Sequence, residues 1–130
     1  MAVRILISLL LVFSLAHAHA QRISFCERVD EKGNAINASN TFAISKTGGS
    51  LNFLVNLPNE FGHAFAVYDI FMLDSLGKEK FDNTVKQAVQ PSVMIFSKQI
   101  DFYRPGKYRV YVYNDYDKFL CGGELTVVMK

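Results

Sequence analysis

The chain has 130 residues with 14 Lys and Arg, 12 Asp and Glu, and a formal net charge of +2. That length suits one domain rather than two. The charge is near balance and its lysines are scattered, so a nucleic-acid partner held by phosphate neutralisation is excluded.

The N-terminus carries a targeting pattern. Arg4 supplies a minimal positive start, and an apolar stretch from Ile5 to Ala16 follows, broken only by Ser8 and Ser14. Ala18-His19-Ala20 before Gln21 is the small-x-small sequence that a signal peptidase reads. The run falls short of the roughly 20 apolar residues of a membrane span, so no span is expected after cleavage. Residues 1–20 are therefore expected to be a signal peptide and residues 21–130 one domain of a secreted or periplasmic protein. Loss of Arg4 leaves that domain with a net charge of +1.

Strand signals dominate the domain. Ile23–Val29 reads as a strand ended by the polar run Asp30–Asn34, and Thr41–Ser45 as a short second one. After the Gly48-Gly49 turn, Leu51, Phe53, Val55 and Leu57 alternate with period two. His63–Leu73 is the most apolar candidate, and Asp74–Gly77 turns the chain. Glu79–Gln90 is ambiguous: Phe81, Val85 and Val89 recur at helical spacing, while Val85, Gln87 and Val89 alternate. It is read as an edge strand or loop. Val93–Phe102, Tyr108–Tyr113 and Phe119–Met129 complete the set, with Gly122-Gly123 as an expected bulge. Seven or eight short strands with regular turns predict an all-β antiparallel sandwich.

The segment Phe102-Tyr103-Arg104-Pro105-Gly106-Lys107-Tyr108-Arg109-Val110-Tyr111-Val112 resembles the corner between strands E and F of immunoglobulin-like and fibronectin-like sandwiches. The resemblance implies that the Tyr108 hydroxyl bonds back to upstream backbone and that Val110 points into the core. The chain has no Trp, and its cysteines lie near its two ends, so the antibody-type Cys–Trp–Cys core is absent. The resemblance is therefore to the architecture, which does not fix function.

Cys26 and Cys121 are the two cysteines, and in an exported domain an even pair is most simply a disulfide, here joining first strand to last. Two free thiols are the other reading.

Chemistry is sparse. The domain has one histidine, His63, and no nucleophile elbow, phosphate loop or zinc signature, so no enzymatic activity and no cofactor is expected. Asn114, Asp115 and Asp117 share a loop that either offers oxygens to a hard cation or forms a polar turn. Asn37-Ala38-Ser39 matches a glycosylation sequon, which matters only in a eukaryotic secretory route.

The candidate interface follows from alternation. With Tyr108, Val110 and Val112 inward, Arg109, Tyr111 and Tyr113 point out. An unpaired charge is costly to bury, so Asp69 also belongs outside, together with Phe65, Val67 and Phe71. In an immunoglobulin-like order these strands are neighbours, which would let Asp69 and Arg109 pair within an aromatic field. Such a face suggests a protein partner or self-association, and a carbohydrate is a further ligand class it admits. The opposing reading is that Glu79–Gln90 covers the face, or that a one-residue slip reverses every assignment. The expected function is thus an exported binding or adhesion module, or an accessory subunit of a surface or periplasmic assembly. A structural homodimer comes second, and a small hydrolase using carboxylates ranks last.

Overall fold

The computed structural model describes residues 21–130; the signal-peptide reading falls on residues 1–20, which lie outside the described residues. Nine strands follow in order: β1 Arg22–Val29, β2 Ala35–Ala38, β3 Thr41–Ile44, β4 Gly49–Asn56, β5 Phe65–Leu73, β6 Glu79–Ala88, β7 Ile95–Phe102, β8 Gly106–Asn114 and β9 Phe119–Met129. They form a four-stranded sheet of order β2-β1-β4-β7 and a five-stranded sheet of order β3-β9-β8-β5-β6. The chain leaves the first sheet after β2 and joins the second as β3, whose pairing with β9 is parallel. The other strand pairs are antiparallel.

The core lies between the sheets, and alternation decides what enters it. Phe25, Leu51, Phe53, Val55, Phe96, Ile100 and Phe102 point inward from one sheet. From the other come Ala66, Tyr68, Ile70, Tyr108, Val110, Val112, Cys121, Leu125 and Val127. Phe53 sits at the hub: its ring centroid lies 5.1 Å from Phe25, 5.9 Å from Tyr68 and 6.1 Å from Phe102. Phe102 in turn stands edge-on to Tyr108 at 4.8 Å. Edge-to-face contacts of this kind add about 0.5–1.5 kcal/mol per pair beyond the area buried.

The corner inferred from Phe102–Val112 is present. The Tyr108 hydroxyl donates to the Arg104 carbonyl at 2.7 Å, and Val110 is fully buried. A second phenol closes the opposite flank. Tyr68 donates to Gln87 Oε1 at 2.6 Å, and Gln87 Nε2 donates to the Ser97 carbonyl at 2.6 Å. This chain links β5 and β6 of one sheet to β7 of the other.

Three expectations change. The Cys26–Cys121 disulfide is not formed, and both thiols are free and buried. Cys121 points into the core opposite Val112, but on β1 the inward positions belong to Ile23 and Phe25. Cys26 therefore points away from the core, its Sγ 3.8 Å from the Asn52 carbonyl. Bridging the two would need β1 to slip by one residue and expel Phe25. Second, Gly122 and Gly123 pair regularly with Tyr111 and Val110, and the bulge falls beside them, between Phe119 and Cys121. Gly123 has another use: a Cβ there would stand 3.2 Å from both Ile23 and Phe25, so its absence lets β1 pack closely on β9. Third, Ala35–Ala38 is a strand that the sequence reading passed over. Of the two readings of Glu79–Gln90, edge strand or loop, the structure shows the edge strand over Glu79–Ala88, with a bulge that places Phe81 opposite Phe71 and Asn83 opposite Ile70.

Two outcomes test this core. Thiol labelling of the denatured protein without reductant is expected to modify both Cys26 and Cys121; no label on either would restore the bridge and contradict the strand parity. The second concerns pH. Burial pushes the Cys121 thiol from its ordinary 9.0 up to about 12. Above pH 9 the unfolded chain loses this proton before the folded one does, so the contribution is fully present below pH 9 and is lost as pH rises toward 12. Urea midpoints of the wild type should fall between pH 9 and 11 more steeply than those of Cys121→Val. Parallel curves would contradict the burial of this thiol.

Candidate functional site

The parity that builds the core also builds the opposite face of the five-stranded sheet. β5 and β8 are neighbours, with Val67 opposite Tyr113, Asp69 opposite Tyr111 and Phe71 opposite Arg109. Phe65, Val67, Asp69, Phe71, Arg109, Tyr111 and Tyr113 all lie on the outer face and are half-buried by one another. The predicted interface residues are thus brought together on one surface.

Its aromatic rings form a continuous row. Phe81 meets Phe71 at 5.9 Å, Phe71 meets Tyr111 at 5.6 Å, and Phe119 meets Tyr111 at 6.2 Å and Tyr113 at 5.8 Å. Phe81 and Phe119 are 59% and 51% exposed, so the row ends in two open rings. At its other margin Lys86 Nζ lies 4.4 Å over the Phe65 ring, within cation–π range.

The charges are paired differently from expectation. Asp69 and Arg109 do not meet, because Asp69 stands opposite Tyr111 and accepts a 2.7 Å hydrogen bond from the Thr84 hydroxyl. Arg109 instead ties together the two outer members of the four adjacent strands β9-β8-β5-β6. It donates to Glu79 at 3.0 Å on β6 and to Glu124 at 2.8 Å on β9. The Tyr111 hydroxyl also donates to Glu79. That hydroxyl and the Arg109 guanidinium hold the Glu79 carboxyl below its ordinary range, and the carboxylate in turn raises the Tyr111 phenol. Gly122 lies opposite Tyr111 on β9, in the lining of a shallow hollow of about 290 Å³ between Phe119 and the Arg109–Glu124 pair.

Glu79, Phe81, Thr84, Lys86, Phe119 and Glu124 belong to this face but were not singled out from the sequence. The bulge on β6 hides the alternation of Phe81 and Thr84. The alternation of Glu124 with Gly122 along β9 was legible, and it would have placed the carboxylate beside Arg109.

A second constellation sits at one end of the sandwich. His63 Nδ1 lies 2.6 Å from Asp115 Oδ1, and the Ala64 amide donates to Asp115 Oδ2 at 3.2 Å. Asn114 is buried. Its Oδ1 accepts from the Tyr116 and Lys118 amides, which orients Nδ2 toward His63 Nε2 at 3.2 Å. The network assigns the imidazole proton to Nδ1, and both ring nitrogens are engaged. Tyr116 covers the imidazole edge-on at 4.9 Å and is itself 81% exposed. The loop from Asn114 to Asp117 is thus a side-chain-capped turn that ties β8–β9 to β4–β5. Among the described residues, no group of three or more His, Cys, Asp and Glu converges as a metal site. Asn37 is exposed on β2 and bonds Glu27 Oε2 at 2.9 Å.

No family model matches the chain, and no curated protein matches it. Solved structures do. An immunoglobulin-like protein from Pseudomonas aeruginosa superposes with a TM-score of 0.52 at 15% identity, covering 81% of this chain and 90% of that one. The soluble domain of PmoD from Methylocystis sp. gives a TM-score of 0.48 at 15% identity, over 81% of this chain and 88% of that one. At such identity the first likeness speaks to the fold, and the chain is an immunoglobulin-like β-sandwich.

The buried amide of Asn114 generates a prediction. Asn114→Ala removes three hydrogen bonds from a shielded site and is expected to cost about 2 kcal/mol in urea denaturation. A change under about 0.5 kcal/mol, the range of neutral surface substitutions, would contradict the network.

Proposed function

We propose that the protein is an exported, non-catalytic binding module whose working surface is the outer face of the five-stranded sheet. The observation that carries this reading is the aromatic row from Phe81 through Phe71 and Tyr111 to Phe119 and Tyr113, standing on four adjacent strands. Aromatic side chains and Arg are the residue types that dominate protein interfaces, and contiguous exposed apolar surface marks an interaction site. Arg109 is already paired with Glu79 and Glu124 within the face, so a partner need not strip water from these three ions as lone charges.

A protein partner fits better than a carbohydrate. The Phe71 ring stands nearly perpendicular to its neighbours, at 81° to Phe81 and 82° to Tyr111, so these rings form no common flat platform for a sugar. The non-catalytic part of the proposal is supported by the engagement of both His63 nitrogens, which leaves this imidazole no lone pair for proton transfer. Assignment to an adhesion or accessory role in a surface assembly rests on the predicted export together with this face.

Site-directed photo-crosslinking tests the surface. A photoreactive side chain at Thr84 or Phe119 is expected to form covalent protein adducts. The same group at exposed Gln99, on the outer side of the four-stranded sheet, should form few. Equal capture from both faces would remove the basis for the reading.

A further inference from the structure

The register of the five-stranded sheet lays out four complete rungs on its outer face. They read, from β9 across β8 and β5 to β6, Thr126–Lys107–Leu73–Glu79, then Glu124–Arg109–Phe71–Phe81, then Gly122–Tyr111–Asp69–Thr84, then Phe119–Tyr113–Val67–Lys86. This layout is complementary to itself. We infer that the partner on this face is a second copy of the chain, related by a two-fold axis that runs parallel to the strands between β8 and β5. The inference rests on the reading of this face as the binding surface.

The argument is geometric. Such an axis makes each residue of β8 face the β5 residue of the same rung in the second copy, and each residue of β9 face that of β6. Arg109 then lies over Phe71 of the second copy, and Phe119 over its Lys86, both cation–π pairings. Tyr111 faces Asp69, and Tyr113 faces Val67. The hollow above Gly122, about 290 Å³, receives Thr84. Glu124 faces Phe81 while it stays bonded to Arg109 of its own chain. In the first rung Lys107 faces Leu73 and Thr126 faces Glu79, so in none of the four rungs do like charges meet, and the hollow meets a small side chain. Isologous contacts of this kind are the commonest route to a soluble dimer.

The area is adequate. Four strands about 4.8 Å apart, each contributing about eight residues at roughly 3.3 Å, give a flat footprint on the order of 500 Å². Side-chain relief raises the accessible area toward the roughly 800 Å² per partner of a standard interface. Aligned packing of two twisted sheets brings facing side chains into contact at a sheet separation of about 10 Å.

The test is light scattering during gel filtration on the full chain as its host processes it, at about 1 to 100 µM, the usual range for weak dimers. The wild type is expected at twice the monomer mass. Tyr111→Ser with Tyr113→Ser is expected at the monomer mass with an unchanged far-ultraviolet spectrum. A second measurement mixes Lys86→Cys chains with Phe119→Cys chains and adds a short bismaleimide, which spans the roughly 10 Å between facing strands that a disulfide cannot. Covalent dimers should form in the mixture and not in either variant alone, which supports the proposed axis even if the double serine variant fails to fold. A monomeric wild type across the range overturns the inference and leaves the face to the photo-crosslinking comparison. A dimer that survives in the folded serine variant, or a mixture without covalent dimers, also overturns it.

Discussion

The aromatic hub at Phe53 is the constraint on which the rest of the molecule depends. Five rings from five strands converge there or one step away: Phe25 from β1, Phe53 from β4, Tyr68 from β5, Phe102 from β7 and Tyr108 from β8. Turning any one of these strands over would withdraw a large ring from the cluster and leave a cavity, so together they settle which residues of both sheets face inward. In antibody-type domains a buried Trp and an inter-sheet disulfide occupy the equivalent centre. Here phenyl and phenol rings fill that volume, and two hydroxyls find backbone or amide acceptors at its margins. The domain needs no covalent cross-link to fix its register, which accords with Cys26 and Cys121 pointing in different directions.

The outer face is the consequence of the same parity. Once Tyr68 and Tyr108 are committed inward, Asp69, Phe71, Arg109, Tyr111 and Tyr113 have only the other side of the sheet. The result is a surface whose polar groups satisfy one another while its rings stay partly open. Arg109 between Glu79 and Glu124, and Asp69 with Thr84, fix long side chains before any partner arrives. That preorganisation lowers the ordering cost of association. The His63–Asp115–Asn114 cluster works at a different place, the end of the sandwich, and binds two loops into one unit.

Legibility in the sequence followed the strength of local alternation. β5 and β8 are long, and each contains a residue that decides its sense, Asp69 in one and the corner Tyr108 in the other, so their faces were readable in full. β1 was not, because Ile23-Ser24-Phe25-Cys26 alternates in a way that leaves Phe25 and Cys26 competing for the inward position; the export argument speaks to cysteine pairing and is silent on direction. β2 is four residues long, largely exposed, and holds Asn37 at φ 57°, so no hydrophobic pattern marks it. In β6 the bulge inserts one residue between Phe81 and Asn83, which converts a period of two into an apparent helical spacing. His63 and Asp115 are 52 residues apart, and only the meeting of two loops joins them.

The parity set by the aromatic hub is tested most directly by hydroxyl-radical footprinting of the six tyrosines, read by mass spectrometry on dilute protein. The account predicts that Tyr103 and Tyr116 oxidise fast, Tyr111 and Tyr113 at intermediate rates, and Tyr68 and Tyr108 only on unfolding. Protection of Tyr111 and Tyr113 with rapid oxidation of Tyr108 would mean that β8 is turned over, and both the core and the proposed binding face would be wrong together.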